Sequence, residues 1–407
     1  MNWKKEFGPD HETLYQAFSV LLLIAVIPAL LLRLPLLFLI ISLLLAFVLI
    51  SRYYDKQIGV RLTLTNEKRT IRLFPGQQTD VKLTLHNESF LPIINGRLSF
   101  RIGQEVSSSL EKQTRHHGDV TYNIPLSILR KGNVQMPIPI KAQSRGTTRF
   151  TNIRYDFPHP LNARSISLTY NRLFQTEIIV YPEPIPVTGL KEQLYLTPGE
   201  ERTPYSPFEN VLNPSGTRDY VQSDPFHRIH WKASAKKQTL QTKVYERTWH
   251  HSWSILINIS SKSRLGNAYV TSELEKLLSY ATYICHTLTE KNQPFELMIN
   301  ARKIGEAPYF YYLHEGQGKS HLRKSLDLLA RLKPSAMLMP FSSLLHKIDQ
   351  TLNHPKRIVV LGKVDDEDVT FLRKWQQNGM GILVLQETEN GPVLTESLKE
   401  GDRYAQR

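Results

Sequence analysis

The residues best suited to chemistry lie together in one stretch, RDYVQSDPFHRIHWKASAKK, which runs from Arg218 to Lys237. It contains two acids, two histidines, one tryptophan and five basic residues. Carboxylates and imidazoles this close in sequence can hold a metal ion or transfer a proton. One hypothesis is therefore a membrane-bound, metal-dependent hydrolase whose site uses four side chains, those of Asp219, Asp224, His227 and His230.

The same stretch also has a structural interpretation. If a short helix begins at Asp224, then Asp224 and Arg228 lie four residues apart on one helix face, and Lys232 continues the row. Trp231 would project elsewhere and act as a large apolar anchor against a sheet. With Arg218 completing the ion pairs, the segment would hold the following domain in place rather than act on a substrate.

Other chemical motifs in the chain are incomplete. The stretch GQGKS resembles a phosphate-binding loop, but the full motif needs a glycine five positions before Gly318, where the chain has Leu313. HWKASAKK is too short a basic strip to predict nucleic-acid binding. His250 and His251 complete no zinc-binding spacing. No Gly-x-Ser-x-Gly elbow or glycine-rich dinucleotide fingerprint is present.

The net charge of +14 suits an anionic partner, such as phospholipid or an acidic protein surface. Cys285 is the single cysteine, so no intramolecular disulfide can form. It follows Leu274, Leu277 and Ala281 at helical spacing, which predicts a buried core position rather than a nucleophile.

Two apolar runs near the start, 15–32 and 34–50, are separated only by Arg33. Each covers roughly 25–27 Å as a helix, close to the thickness of a hydrocarbon core. We expect a two-helix transmembrane hairpin. The alternatives are a signal peptide, which the missing cleavage site disfavours, and one long bent helix, which the Arg-Leu-Pro interruption disfavours.

Basic residues flank this pair of runs, and they predict its orientation. Lysines and arginines precede and follow the pair, whereas Arg33 alone lies between the runs. We expect a multi-pass protein of the cytoplasmic membrane with both termini in the cytoplasm and the lipid bilayer as one partner.

The rest of the chain predicts two folded parts. Residues 57–182 alternate apolar and polar side chains between turns, as in a β-sandwich of the immunoglobulin or fibronectin kind. Residues 251–390 alternate strand-like and helix-like runs, which favours a doubly wound α/β domain. The predicted order is thus a membrane hairpin (1–56), the sandwich, a connector with the charged stretch (183–250), the α/β domain and a flexible tail (391–407).

The charged stretch and its continuation to Glu246 resemble the signature of the domain-of-unknown-function family fifty-eight. The positions that match the signature are Arg218, Tyr220, Asp224, Arg228, Ile229, Trp231, Ala235 and Glu246. Ser223 stands where that signature has glycine, and Lys236 where it usually has arginine. The resemblance implies that the α/β domain is similar to von Willebrand factor A domains.

Domains of that kind often hold a divalent cation through Asp-x-Ser-x-Ser at the end of the first strand. This chain has Asn258, Ser260 and Lys262 there, and Asp365 is the nearest candidate carboxylate from a later loop. An amide in place of a carboxylate and an added ammonium both weaken affinity for a hard cation. We therefore expect no cofactor, a divalent cation being the one candidate that the resemblance raises.

Together these features predict a membrane-anchored, non-enzymatic adaptor. The resemblance implies a MoxR-type AAA+ ATPase as its partner. The sequence predicts no nucleic-acid partner and leaves the pathway and the oligomeric state open.

Overall fold

The fold is taken from a computed structural model of the 407-residue chain. The structure describes residues 2–7, 16, 20–22, 24–26, 35–110, 112–116, 119–161, 164–195, 209–247, 252–305, 307–352, 356–389 and 391–396. Two compact units divide the chain, Met1–Glu183 and Pro184–Arg407.

The first unit contains one long helix and short alternating strands. Its elements are β1 (Trp3–Phe7), α1 (Pro35–Gln57), β2 (Leu62–Leu64), β3 (Thr70–Leu73), β4 (Gln78–Asn87), β5 (Ile93–Ile102), β6 (Val106–Ser108), β7 (Lys112–His116), β8 (Asp119–Ile128), β9 (Asn133–Ala142), β10 (Gly146–Arg149), β11 (Thr151–Pro158), β12 (Ser165–Tyr170) and β13 (Glu177–Val180).

These strands form a β-sandwich. One sheet has the order β1-β12-β11-β5-β8-β7, a second has the order β2-β4-β9-β6, and a three-stranded sheet has the order β10-β13-β3. Every second residue is buried from Val81 onward in β4 and from Gly96 onward in β5, and Leu83 and Leu85 share one apolar core with Leu98 and Phe100. The alternation arises because each sheet has one face in the core and one in water.

The second unit contains shorter helices among its strands. Its elements are α2 (Leu190–Tyr195), β14 (Glu209–Asp219), α3 (Trp231–Lys237), β15 (Gln241–Arg247), β16 (Trp253–Ile257), β17 (Ser260–Lys262), β18 (Ala268–Val270), α4 (Leu274–Glu290), β19 (Phe295–Arg302), β20 (Phe310–Gly316), α5 (Gly318–Arg331), α6 (Phe341–Thr351), β21 (Arg357–Leu361), α7 (Asp366–Gln377), β22 (Gly381–Thr388) and β23 (Gly391–Thr395).

The main sheet of this unit is mixed, with the order β20-β19-β16-β21-β22-β23. Its four inner strands run parallel, and β20 and β23 pair antiparallel at the two edges. Helices cover both faces, since Ile255 and Ile257 belong to one apolar cluster and Leu256 to another. Two antiparallel ribbons, β14–β15 and β17–β18, complete the unit.

The fold class expected from the sequence is wrong as a whole, although its β-sandwich agrees with the sheets of the first unit. One apolar helix replaces the expected hairpin, and the described residues form a mostly β body with 23 strands in six sheets and seven α-helices. Taken over the described residues, that body is β-rich and does not match the expected order of hairpin, sandwich and von Willebrand A-like domain, and the sheet of the second unit is mixed, with β20 and β23 antiparallel at its edges. Apolar runs predict that strands exist but not their direction, because a hairpin-connected edge strand such as β23 can carry the same pattern as a parallel one.

The expected multi-pass topology is also wrong. Within the described ranges, α1 is the one helix long and apolar enough to cross a membrane, and it lies near the N-terminus. The other apolar run, 15–32, falls mostly outside the described residues, and its seven described positions, although helical, are too few to count as a span. An apolar run gives composition and length only, so it does not by itself establish a separate spanning helix.

Candidate functional site

The charged stretch forms a β-ribbon with a short helix between its two strands. Strands β14 and β15 pair antiparallel from Glu209 to Asp219, and a 3₁₀ turn, Phe226–Arg228, precedes α3. We call residues 216–245 the signature ribbon. Because Gln238 ends α3 in the left-handed conformation, the chain reverses directly into β15.

Asp224 holds the turn of the signature ribbon closed. Its carboxylate accepts hydrogen bonds from the Arg218 guanidinium at 2.6 Å, the Val221 backbone N–H at 3.2 Å and the Thr242 hydroxyl at 3.0 Å. The hydrogen bond from Arg218 is the main reason that the pKa of Asp224 lies below its usual value. The carboxylate is therefore occupied by the ribbon's own groups.

The expected Asp224–Arg228 pair is not what the structure shows. Arg228 ends the 3₁₀ turn, so it does not lie one helical turn beyond Asp224, and its guanidinium lies 5.8 Å from the centre of the Tyr245 ring. Arg218, six residues before Asp224, takes the place of Arg228.

Of the other candidate hydrolase residues, His227 is exposed on the 3₁₀ turn, whereas Asp219 and His230 serve the ribbon. Asp219 accepts a hydrogen bond from the Gln241 side chain at 2.5 Å, and His230 Nδ1 accepts one from the Ala233 backbone N–H at 3.2 Å. Ser234 joins the two, because its hydroxyl donates to the His230 carbonyl and accepts from the Gln241 backbone N–H. In the described part of the chain, no three His, Cys, Asp or Glu side chains lie close enough together to hold a metal ion.

The remaining signature residues divide into buried and exposed positions. Ile229 is buried, whereas Trp231 is 68% exposed and does not anchor the ribbon to a sheet as expected. Tyr220 packs against Phe226, which is itself 75% exposed. Ala235 is exposed on α3. Glu246 lies just beyond the signature ribbon, where its backbone pairs with that of Asn210 in the β14–β15 ladder.

The candidate cation residues lie at the carboxyl end of β16. The Asn258 side-chain oxygen accepts hydrogen bonds from the Ser260 backbone N–H (3.0 Å), the Ser260 hydroxyl (2.6 Å) and the Asn300 amide (2.7 Å). Its amide nitrogen donates to the Lys363 carbonyl at 2.6 Å. Asn258 thus ties β16 to the loop that follows β21.

Asn300 is a central residue here that the sequence interpretation missed. It is fully buried on β19; its side-chain oxygen accepts from the Ile259 N–H at 2.8 Å, and its amide also donates to the Met339 carbonyl at 3.2 Å. The available signal was one amide within the apolar run FELMINA, since a polar residue on a covered strand must find its partners inside.

The Lys262 ammonium lies 2.7 Å from an Asp365 carboxylate oxygen. The hydrogen bond and charge of Asp365 raise the pKa of Lys262, which keeps the ammonium protonated beside the carboxylate. Two amides already bonded to their neighbours and a lysine-paired carboxylate do not fit a divalent cation, which prefers several anionic oxygens.

The last turns of α1 enter the core of the β-sandwich. Tyr54 and Ile58 belong to the sandwich core, and Ser51 and Asp55 are buried beside them. The Lys5 ammonium of β1 donates to the Asp55 carbonyl at 2.6 Å. Upstream of the helix, β1 pairs with β12 at five positions. Chain on both sides of the apolar helix is therefore part of one folded body.

No family model and no curated protein matches the chain. Among solved structures it is similar to CaCohA2 from Clostridium acetobutylicum (15% identity, 30% of this chain and 90% of that one, TM-score 0.18). It is also similar to a putative membrane anchored protein from Corynebacterium diphtheriae (14% identity, 31% and 35%, TM-score 0.19). A third is the secreted serine protease VesC from Vibrio cholerae (10% identity, 37% and 28%, TM-score 0.19). At TM-scores this low, the likenesses assign neither a fold family nor an activity to this chain.

Proposed function

We propose that the chain is a membrane-anchored, non-enzymatic adaptor that presents a binding surface to another protein. The observation that carries this proposal is the burial pattern of α1. The helix is apolar and exposed along most of its length, and its C-terminal end packs in the core of the sandwich. An anchor of this kind fixes a folded body to the bilayer and supplies no chemistry of its own.

The apolar surface of α1 favours a lipid environment. Leu36, Leu39 and Leu43 are 74%, 60% and 64% exposed, and further exposed leucines and isoleucines continue to Ile50. Each such side chain gains roughly 1.5–3 kcal/mol when it leaves water, so a helix of this composition is unfavourable in solution. A transmembrane position removes all of these side chains from water at once.

A retained anchor explains the structure better than a cleaved signal. Removal of the N-terminal segment would take β1 from the edge of its sheet and leave the partners of buried Trp3 exposed. Cleavage beyond α1 would also remove Tyr54, a residue of the sandwich core. Signal peptides are removed from the mature protein and have no such place in its core.

The signature ribbon supports a binding role rather than catalysis. Its carboxylates serve the ribbon's own hydrogen bonds, whereas two aromatic side chains, Phe226 and Trp231, are exposed on the same segment as the exposed Lys232 and Lys236. Exposed aromatic residues bordered by positive charge are typical of protein-binding surfaces that accept acidic partners. The partner we propose, on the family resemblance alone, is a MoxR-type AAA+ ATPase.

Membrane extraction tests the anchor. The full chain, tagged at its N-terminus, should remain in the membrane fraction after alkaline carbonate washing and should keep its tag. The double substitution Leu39→Arg and Leu43→Arg should release it, whereas Leu265→Arg, on an 88% exposed leucine of the second unit, should not. Loss of the tag or release of the unaltered chain would exclude a retained anchor.

Capture of a purified candidate ATPase tests the binding surface. We expect Phe226→Ala with Trp231→Ala to abolish capture by the detergent-solubilised chain, while Tyr269→Ala, at an exposed aromatic outside the ribbon, retains it. Turnover of a substrate by the purified chain, or a stoichiometric bound metal, would contradict a non-enzymatic role.

A further inference from the structure

We propose that the sandwich makes a second, direct contact with the membrane, in which loop tips beside α1 bind anionic phospholipid. These loops, residues 59–61, 88–92 and 129–132, are called the collar below. The proposal rests on α1 being a membrane anchor, and it adds which surface of the sandwich meets the bilayer and which lipids that surface prefers.

Backbone hydrogen bonds join the collar into one surface. The Glu88 N–H donates to the Arg61 carbonyl at 3.1 Å, and the Lys131 N–H donates to the Ser89 carbonyl at 3.0 Å. The Tyr54 hydroxyl, from the last turns of α1, reaches the Pro92 carbonyl at 3.5 Å. The collar therefore surrounds the point where the apolar helix enters the sandwich.

The distance along α1 places the collar at the membrane surface. Ile50 is the last of the exposed aliphatic side chains on the helix, and Tyr54 already belongs to the sandwich core. Four residues of helix cover about 6 Å. Each headgroup layer of a bilayer is about 5–8 Å thick, so no room is left for a water-filled gap between the hydrocarbon and the collar.

The collar carries apolar side chains that have no core to pack against. Phe90 is 66% exposed and Leu129 is 68% exposed, both at loop tips. The Lys131 ammonium lies 4.5 Å from the centre of the Phe90 ring, so an aromatic face and a positive charge share one site. Tyr53, on the exposed side of α1, is a second interfacial ring.

Charge at this end of the sandwich is strongly positive. The exposed basic residues of the collar and the adjoining turn of α1 are Arg52, Lys56, Arg61, Arg130 and Lys131. Glu88 is the exposed acid among the described collar residues, and Asp55 is buried. Basic residues next to a membrane span are attracted to anionic headgroups over about one Debye length.

The opposite end of the sandwich presents a different surface. The loops and strand ends there line a polar cleft with Thr147, Thr148, Arg149 and Glu177, and Arg149 is paired with Glu177 at 3.2 Å. An exposed aromatic ring and an excess of basic residues thus meet at the end that α1 enters. Continuity with the anchor favours lipid over a protein as the occupant.

Site-directed labelling of the full chain in lipid nanodiscs tests the contact. Cys285 is fully buried, and burial raises the pKa of its thiol to about 12, so an introduced surface cysteine is labelled selectively. Leu129→Cys reports on the collar. Leu173→Cys is the matched control, because Leu173 is a 63% exposed leucine on a loop of the same unit that follows the other end of β12.

In nanodiscs containing phosphatidylglycerol, we expect a spin label at position 129 to collide with an aqueous nickel chelate several-fold less often than a label at position 173. Adding Arg130→Glu and Lys131→Glu to Leu129→Cys should restore most of the collisions. In pure phosphatidylcholine the shielding at position 129 should be weaker.

Each other outcome overturns a specific part of the proposal. Equal collision rates at positions 129 and 173, in a chain that stays in the discs, would reject the collar contact and leave the anchor standing. Shielding that survives the charge reversal would reject anionic lipid as the ligand. Shielding that appears only when a cell extract is added would identify a protein occupant. A chain that leaves the discs would reject the anchor itself.

Discussion

The strands of the two units are buried in different ways. In β4 of the sandwich, buried residues alternate with more exposed ones from Val81 to Asn87. In β16, by contrast, all five residues are buried. The sandwich strand has one face in water, and the β16 strand has helices over both faces. The period of a strand's apolar pattern therefore reports how many of its faces are covered.

This difference decides where each unit can place polar and functional groups. In the sandwich, outward-facing residues are free to be polar, so the distinctive features lie at its ends, where loops and α1 meet. In the second unit, polar residues on covered strands, such as Ser254, Glu296 and Asn300, must be satisfied by one another. Their role is to hold the sheet together.

The largest effect is expected at Trp3, on the edge strand β1. Trp3 is 3% exposed and its ring packs edge-on against Tyr170 at 5.2 Å, although the strand lies at the margin of the sheet. Trp3→Ala should lower the free energy of unfolding by about 3–5 kcal/mol, the usual cost of emptying a buried aromatic site. Denaturant unfolding in detergent, followed by circular dichroism, measures it.

Trp231→Ala is the matched control, because Trp231 is 68% exposed. Its change should stay within about 0.5 kcal/mol, as is usual for surface substitutions. Equal effects at the two tryptophans would mean that β1 is not part of the folded sandwich, and the argument for a retained N-terminal segment would fail with it.

The next effect in size is expected at Asn300, which tests whether polar residues on covered strands are structural. Asn300→Ala removes the oxygen that accepts from the Ile259 N–H and one donor to the Asn258 side-chain oxygen. Leaving buried polar groups unsatisfied costs about 1–3 kcal/mol. Asn267→Ala, at an exposed asparagine in the turn between β17 and β18, should be close to neutral. Unchanged stability in Asn300→Ala would show that water replaces the lost amide.

Local patterns predicted individual elements better than they predicted the fold class. The spacing of Leu277, Ala281 and Leu288 indicates a helix, and these residues are buried along α4. Strand direction and the number of membrane spans depend on contacts between distant segments. The apolar pattern of one run does not contain that information, which is why the antiparallel edge strands were not predicted and the expected hairpin was wrong.

The candidate site shows the same limit at the level of single residues. The expected Asp224–Arg228 pair assumed a helix, because i to i+4 pairs form only there. A turn follows Asp224 instead, and the turn brings Arg218 into reach. Trp231 was expected inside because of its size, yet a ribbon of this kind has no core large enough to cover it. Asn258 and Ser260 were found from spacing, but their partner Asn300 lies 42 positions from Asn258.

The smallest effect is expected from a buried acid at the start of the main sheet, and it depends on pH. Glu296 accepts hydrogen bonds from the Tyr312 hydroxyl at 2.9 Å, the Ser254 hydroxyl at 2.5 Å and the Lys356 ammonium at 2.8 Å. Burial, followed by the charge of Glu296, raises the pKa of Tyr312 well above its usual value. Burial alone would lower the pKa of Lys356, but the hydrogen bond and charge of Glu296 outweigh it and raise that pKa.

Both shifts give stability the same dependence on pH. A tyrosine ionises near pH 10 and a lysine loses its proton near pH 10.4 in the unfolded chain, whereas both groups keep their protons to higher pH in the folded chain. Their contribution is therefore complete below about pH 10 and is lost as pH rises from there. Tyr312→Phe should make the fall in stability above pH 10 shallower, by less than the ~1.4 kcal/mol per pH unit of one full proton, because the ring is partly exposed and solvent screens it.

Unfolding midpoints measured from pH 8 to pH 11.5 give this slope, with Tyr269→Phe as the exposed control. The control should keep the slope of the unaltered chain. If Tyr312→Phe also keeps it, the Tyr312–Glu296 hydrogen bond does not hold the phenol's proton in the folded state. The buried Glu296 carboxylate would then not need the Tyr312 hydroxyl in order to remain in the covered sheet. Only the buried asparagines would still support the contrast with the sandwich strands, which have one face in water.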